Sequence, residues 1–115
     1  MSVEGFAKTP KPPYYAVIFS SRRTEGDNGY DAAAERMVEL VAQQPGFIGY
    51  EYARDPEGIG ITVAYFESED AIRNWKRNAE HAVVRQKGRE MWYSHYELRV
   101  AKVERAYNFK NPQID

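Results

Sequence analysis

Residues 66–103, FESEDAIRNWKRNAEHAVVRQKGREMWYSHYELRVAKV, decide the fold. They read as the end of a strand, a long helical segment, a short turn and a long strand. Ala71, Ile72, Trp75, Ala79, Ala82 and Val83 recur at helical spacing, so one stripe of the helix faces a core. Ser68 stands before the stripe as an N-cap, and Glu69 and Asp70 put negative charge in the first turn. Gly88, between Lys87 and Arg89, is placed where a helix stops. The following strand, from Tyr93 to about Phe109, starts rich in aromatics. Its apolar residues change phase, from Tyr96, Leu98 and Val100 to Ala101, Val103 and Tyr107, which predicts a bulge or twist near residues 100–102.

Working back from this segment, residues 59–66 alternate as a strand. Ile59, Ile61, Val63 and Tyr65 oppose Gly60, Thr62, Ala64 and Phe66. Residues 47–54 form the preceding strand, with Phe47, Gly49, Glu51 and Ala53 on one face and Ile48, Tyr50 and Tyr52 on the other. The intervening Asp-Pro-Glu-Gly is a turn by its residue types, so the two strands make a hairpin. Tyr30, Ala34, Met37, Val38 and Val41 follow the helical period, with Asp27 or Asn28 as cap and Pro45-Gly46 as the stop. Residues 14–21 are the first strand, apolar on both faces. The order is β-α-β-β-α-β, an α+β, ferredoxin-like antiparallel sheet with both helices on one face. We divide the chain into a flexible N-terminal arm (1–13, three of the six Pro), one domain (14–109) and a C-terminal tail (110–115).

Length and charge narrow the possibilities. A chain of 115 residues makes one domain with a modest core. Sixteen Lys and Arg against 17 Asp and Glu leave a net charge of −1, which argues against nucleic acid as a partner. Without Cys, disulfides, thiolate catalysis and zinc–thiolate sites are excluded. No apolar run is long enough to span a bilayer, so the expectation is a soluble, cytoplasmic protein. The first three strands carry large apolar residues on both faces, yet the chain has no spare element to cover the second face. A second copy supplies the cover, which predicts a homodimer with two sheets face to face. A monomer holding a ligand on the open face is the other solution.

Arg23-Thr24 with Tyr30, Gln44-Pro-Gly-Phe47, Glu51, Phe66-x-Ser68, Trp75, Glu80-His81, Gly88, Trp92-Tyr93 and Val103-Glu-Arg-x-Tyr107 together resemble the antibiotic biosynthesis monooxygenase (ABM) family. The resemblance spans about residues 14–109. It implies a dimeric α+β barrel built from ferredoxin-like halves. It also implies a cofactor-independent monooxygenase that oxidises a small aromatic or quinol-like molecule with O2. A haem-degrading branch pairs its Trp with a first-strand Asn and a His about ten positions on. Here the first strand offers Ser20 and Ser21, and the tenth position past Trp75 is Arg85.

The candidate site follows. On one straight helix Asn74, Asn78, His81 and Arg85 form a polar stripe beside the stripe of Trp75. Polar groups next to an aromatic wall suit a small-molecule pocket, although a solvated helix edge has the same pattern. His81 is the general-base candidate because imidazole titrates near neutral pH; a helix-capping histidine is its structural alternative. Trp75 matches a cavity-lining Trp of the family and equally reads as a core anchor. Tyr50, Tyr52 and Tyr65 can donate to a quinone-like oxygen or simply pack on the sheet. Two His fourteen positions apart form no ligand set, and no Gly-rich phosphate loop follows a strand, so neither metal nor other cofactor is expected. The non-enzymatic alternative is a dimeric ligand-binding or structural protein of the same fold.

Overall fold

A computed structural model describes residues 5–112. The elements are β1 (Tyr14–Arg23), α1 (Tyr30–Ala42), β2 (Phe47–Arg54), β3 (Ile59–Phe66), α2 (Glu69–Arg77), α3 (Ala79–Lys87), a π-helical turn (Gly88–Trp92) and β4 (Tyr93–Val103). The strands form one antiparallel sheet in the order β2-β3-β1-β4. This is the ferredoxin-like α+β arrangement that the hydrophobic pattern predicts.

Both helical layers lie on one face. Val41 of α1 and Ala71 of α2 close on Phe66, with Val17, Phe47, Ala64, Ile72 and Trp75 packed around them. Phe66 is 1 % exposed and stabilises the fold by roughly 2–3 kcal/mol through burial alone. Register puts Val17 beside Ala64 and Tyr50 beside Ala64, so these residues share the helix-facing side. Gly46 lets α1 turn into β2. Its φ of +84° disfavours any side chain, and a Cβ there would stand 2.7 Å from that of Ala71.

Several expectations change. The helical segment after β3 is not one helix. Asn78 leaves helical geometry (φ −57°, ψ 126°), and its Oδ1 accepts the His81 N–H at 3.0 Å, starting α3 on a new axis. The α-helix does stop where Gly88 stands, at its C-cap, but not by a left-handed turn. Its φ of −58° is right-handed, and the chain runs on through the π turn to Trp92. Gly88 is small for another reason: a Cβ would sit 3.1 Å from the Tyr93 ring. The irregularity of β4 is not at residues 100–102. Pairing with β1 is continuous from Tyr14↔Val103 to Arg22↔His95, and the shift comes at Arg23↔Tyr93, where Ser94 is the extra residue. A bulge between Phe47 and Gly49 likewise moves Phe47 to the core face, against Phe66.

The last strand also stops at Val103 rather than near Phe109. Val103 pairs with Tyr14, the first residue of β1, so beyond it no neighbouring strand offers partners. The arm, expected to be mobile from its prolines, touches the sheet at defined points. The Ala7 N–H donates to Glu51 Oε2 at 3.1 Å, and Tyr14 Oη donates to Thr9 Oγ1 at 3.2 Å. Residues 1–4 of the arm and 113–115 of the tail lie outside the described residues. No helix among the described residues is long and apolar enough to cross a membrane.

Candidate functional site

The break at Asn78 builds the site. Ending α2 leaves its last carbonyls without intrahelical donors, and such groups need partners when half-buried. The Asn78 N–H takes Trp75 O at 3.1 Å, His81 Nδ1 meets the same oxygen at 2.9 Å, and Arg85 Nη2 donates to Lys76 O at 3.1 Å. A carbonyl only accepts, so Nδ1 carries the imidazole proton and Nε2 is left with a lone pair. The imidazole lies flat on the Trp75 indole, ring centroids 4.0 Å apart and 11° from parallel. Burial holds His81 below the ordinary histidine range, the bond to Trp75 O pulls the other way, and the charge of Arg85 adds to the lowering. Arg85 Nε is buried and has no hydrogen-bond partner among the described residues.

The polar stripe expected along one helix is therefore dissolved, because it needs a straight axis through Asn78. Trp75, His81 and Arg85 still come together, across the break. Asn78 joins them, with its Oδ1 spent on the His81 N–H. Asn74 is exposed on α2. Tyr50 and Tyr52 point to the helix side of β2, paired with Ala64 and Thr62. Tyr65 does not join them: it lies on the opposite face, where its Oη donates to Glu51 Oε1 at 2.7 Å. Burial, then the bond to the Glu51 carboxylate, push the Tyr65 phenol up to about 12. Among the described residues no three His, Asp or Glu side chains gather as metal ligands.

A second polar cluster, at the end of the sheet near the hairpin turn, is absent from the sequence reading. Arg54 donates to Tyr52 Oη (3.2 Å), Gly58 O (2.5 Å) and Ser21 Oγ (3.0 Å). Its guanidinium lies over Gly60, where a Cβ would stand 2.6 Å from Cζ. Because Tyr52 Oη accepts from Arg54, its own proton stays available to another acceptor. Beside it the Arg23 guanidinium covers the Tyr30 ring at 3.6 Å, and Tyr93 Oη reaches Tyr30 Oη at 3.5 Å. Burial raises the Tyr93 phenol well above its usual range. The only sequence signal was Gly60, a glycine in an otherwise bulky strand.

Comparison with known proteins agrees with this architecture. Residues 13–87 match the family described as antibiotic biosynthesis monooxygenase. The chain is 55 % identical over 109 residues to the uncharacterized protein YqjZ of Bacillus subtilis, covering 95 % of this chain and 96 % of that one. Among solved structures it is similar to SnoaB, a cofactor-independent oxygenase from Streptomyces nogalater. That match has a TM-score of 0.70 at 14 % identity, over 83 % of this chain and 97 % of that one. It is also similar to Rv0793 of Mycobacterium tuberculosis, with a TM-score of 0.70 at 15 % identity, over 82 % and 99 %. At such identities the structural likeness speaks for the fold alone, whereas the match over residues 13–87 settles descent: the chain belongs to the antibiotic biosynthesis monooxygenase family.

Proposed function

We propose that the protein is a cofactor-independent monooxygenase that oxidises a small phenol- or quinol-like aromatic with O2, working as a cytoplasmic homodimer with the sheets face to face. One observation carries the reading. Beside Trp75 the Nε2 lone pair of His81 is left unspent, and Arg85, near enough for its charge to act on that imidazole, keeps a buried Nε–H without a partner among the described residues. A base beside a donor is what deprotonating a phenol and holding its oxygen requires. Lowering of the His81 pKa keeps the imidazole neutral, hence basic, at neutral pH.

In this scheme His81 Nε2 takes the phenolic proton and the electron-rich phenolate reacts with O2 directly. One oxygen atom enters the ring carbon para to the phenol, and the other leaves as water with the phenolic and ring hydrogens. Phenol and O2 thus give quinone and water, with no outside reductant. Arg85 holds the phenolate oxygen, Trp75 walls the ring, and Asn78, Asn74 and Tyr50 border the same side. Tyr52, its proton unspent, donates to the developing quinone oxygen. Tyr65, across the sheet, stays outside the site. The homodimer rests on the apolar second face, where Ile59 and Ile61 are exposed.

A second reading has its own observation. His81 and Arg85 both close the end of α2, a sufficient structural reason for both residues. On that reading the protein is a non-enzymatic, ligand-binding or structural dimer. Oxygen uptake by purified protein, without added flavin or metal, across a panel of quinols and polyphenols decides between them. Substrate-dependent uptake that His81→Gln abolishes is expected. No uptake across the panel overturns the monooxygenase.

A further inference from the structure

The N-terminal arm crosses the sheet face that carries no helices. It leaves Tyr14 at the start of β1, passes Tyr65 of β3 and reaches β2 at Gly49 and Glu51. Three fittings hold it there. The Glu51 carboxylate accepts from the Ala7 N–H on one oxygen and from Tyr65 Oη on the other. Tyr14, though on the open face, is 4 % exposed, packed edge-on against Tyr65 and bonded to Thr9. Gly49 makes room, since a Cβ there would approach that of Ala7 to 3.2 Å. Beyond Ala7 the arm walls a shallow cleft of about 380 Å³ with Ala53, Ile61 and Val63, and Phe6 stands on its rim 93 % exposed.

An anchored backbone carrying a bare phenyl ring one residue further on asks what the ring is for. Burial against its own sheet is within reach of the segment, yet the ring stays outside. Area argues for a second copy as its cover. Four strands of 8 to 11 residues give a flat footprint of roughly 600 Å². Each partner of a stable pair gives up about 800 Å² of accessible surface. Side-chain relief narrows the gap, and an apolar rim beside the face closes it.

Resting on the homodimer reading above, we infer that the arm is a dimer clasp: Glu51 and Tyr65 hold it along the β2 side of the open face so that Phe6 packs against the second copy of the chain. The arm then serves as a fixed side wall of the interface. The partner's sheet lies over the rest of the face, where Ile18 and Ala101 are small or apolar and still accessible.

Analytical ultracentrifugation of the full chain tests this, on wild type, Phe6→Glu and Phe6→Leu, with circular dichroism to check the fold. Because Phe6 is exposed within one chain, neither change disturbs the monomer. A dimer dissociation constant weakened at least tenfold by Phe6→Glu, and returned to within about threefold of wild type by Phe6→Leu, is expected. A Phe6→Glu dimer as tight as wild type overturns the clasp and leaves the homodimer standing. A wild type that stays monomeric at high micromolar concentration overturns both.

Discussion

The His81 imidazole lies stacked on the Trp75 indole at 4.0 Å, tied by Nδ1 to the carbonyl of that same residue. This contact links local geometry to chemistry, because one capping bond sets both the tautomer and the ring orientation. A protonated imidazole quenches a stacked indole, so wild-type tryptophan emission falls on acidification, with a midpoint below the ordinary histidine value of about 6.5. His81→Gln abolishes the step and, on the proposed mechanism, lowers kcat by about 10²–10⁴-fold. A step that survives in His81→Gln would assign the quenching elsewhere.

Stability should follow the same titration. Folding holds His81 below its unfolded pKa, so between the two values the unfolded chain binds a proton that the native one refuses. Stability is therefore lost as pH falls through about 6.5, until the folded group itself protonates. Glu80 and Glu97 are held below the usual carboxylate range by Arg36 and His95, and their contribution is lost only under more acid conditions. Urea midpoints at pH 5.5 and 7.5 separate the two. Wild type loses stability between them, and His81→Gln loses measurably less.

Asn78→Ala removes the side-chain acceptor of the His81 N–H and should cost about 1 kcal/mol by urea denaturation. The loss also loosens the imidazole, so the acid quenching step should shrink in amplitude. A variant as stable as wild type would mean that the break is held by the Arg36–Glu80 fork between α1 and α3, at 2.6 and 3.0 Å, rather than by its cap.

Strand alternation and helical spacing made the order of elements legible, and the β2 and β3 bounds stand as read. What the sequence did not disclose came from competition between equals. Asn78 is as ordinary inside a surface helix as at a cap, and only the carbonyls it exposes show that it caps. Gly88 carried a stop signal, but the Tyr93 ring above it is a long-range fact. Phe47 and Ser94 flip the phase of their strands through bulges, which depend on a partner's register. Trp75 and His81, six residues apart, stack because the helix breaks between them, so the pair was visible as candidates and its geometry was not. Arg54 carried no signal of its own before the hairpin turn, because its acceptor Ser21 lies 33 residues away on β1.

Tyr65 offers a check on the face without helices. Burial and the Glu51 carboxylate raise its phenol to about 12, so the neutral form is stabilised and the contribution is complete below pH 10. It is lost progressively as pH rises from 10 through 12. Ultraviolet difference titration should show a late-ionising tyrosine that vanishes in Tyr65→Phe and moves earlier in Glu51→Gln. An unchanged late step in Tyr65→Phe would place it on Tyr93 instead, whose phenol is also raised.

Gly60 and Arg54 give the sharpest test, because the sign of one substitution should depend on the other. A Cβ at position 60 meets the guanidinium at 2.6–2.9 Å, so Gly60→Ala pushes Arg54 off Tyr52, Gly58 and Ser21. Overpacking of this kind costs roughly 1–3 kcal/mol. In an Arg54→Ala background the obstruction is gone. Alanine is then the better strand residue by roughly 0.5–1 kcal/mol, since it has less backbone freedom to lose. Gly60→Ala should accordingly destabilise the wild type and leave Arg54→Ala unchanged or slightly more stable. Additive costs in the double-mutant cycle, read from urea midpoints, would mean that Gly60 is required for something other than the arginine above it.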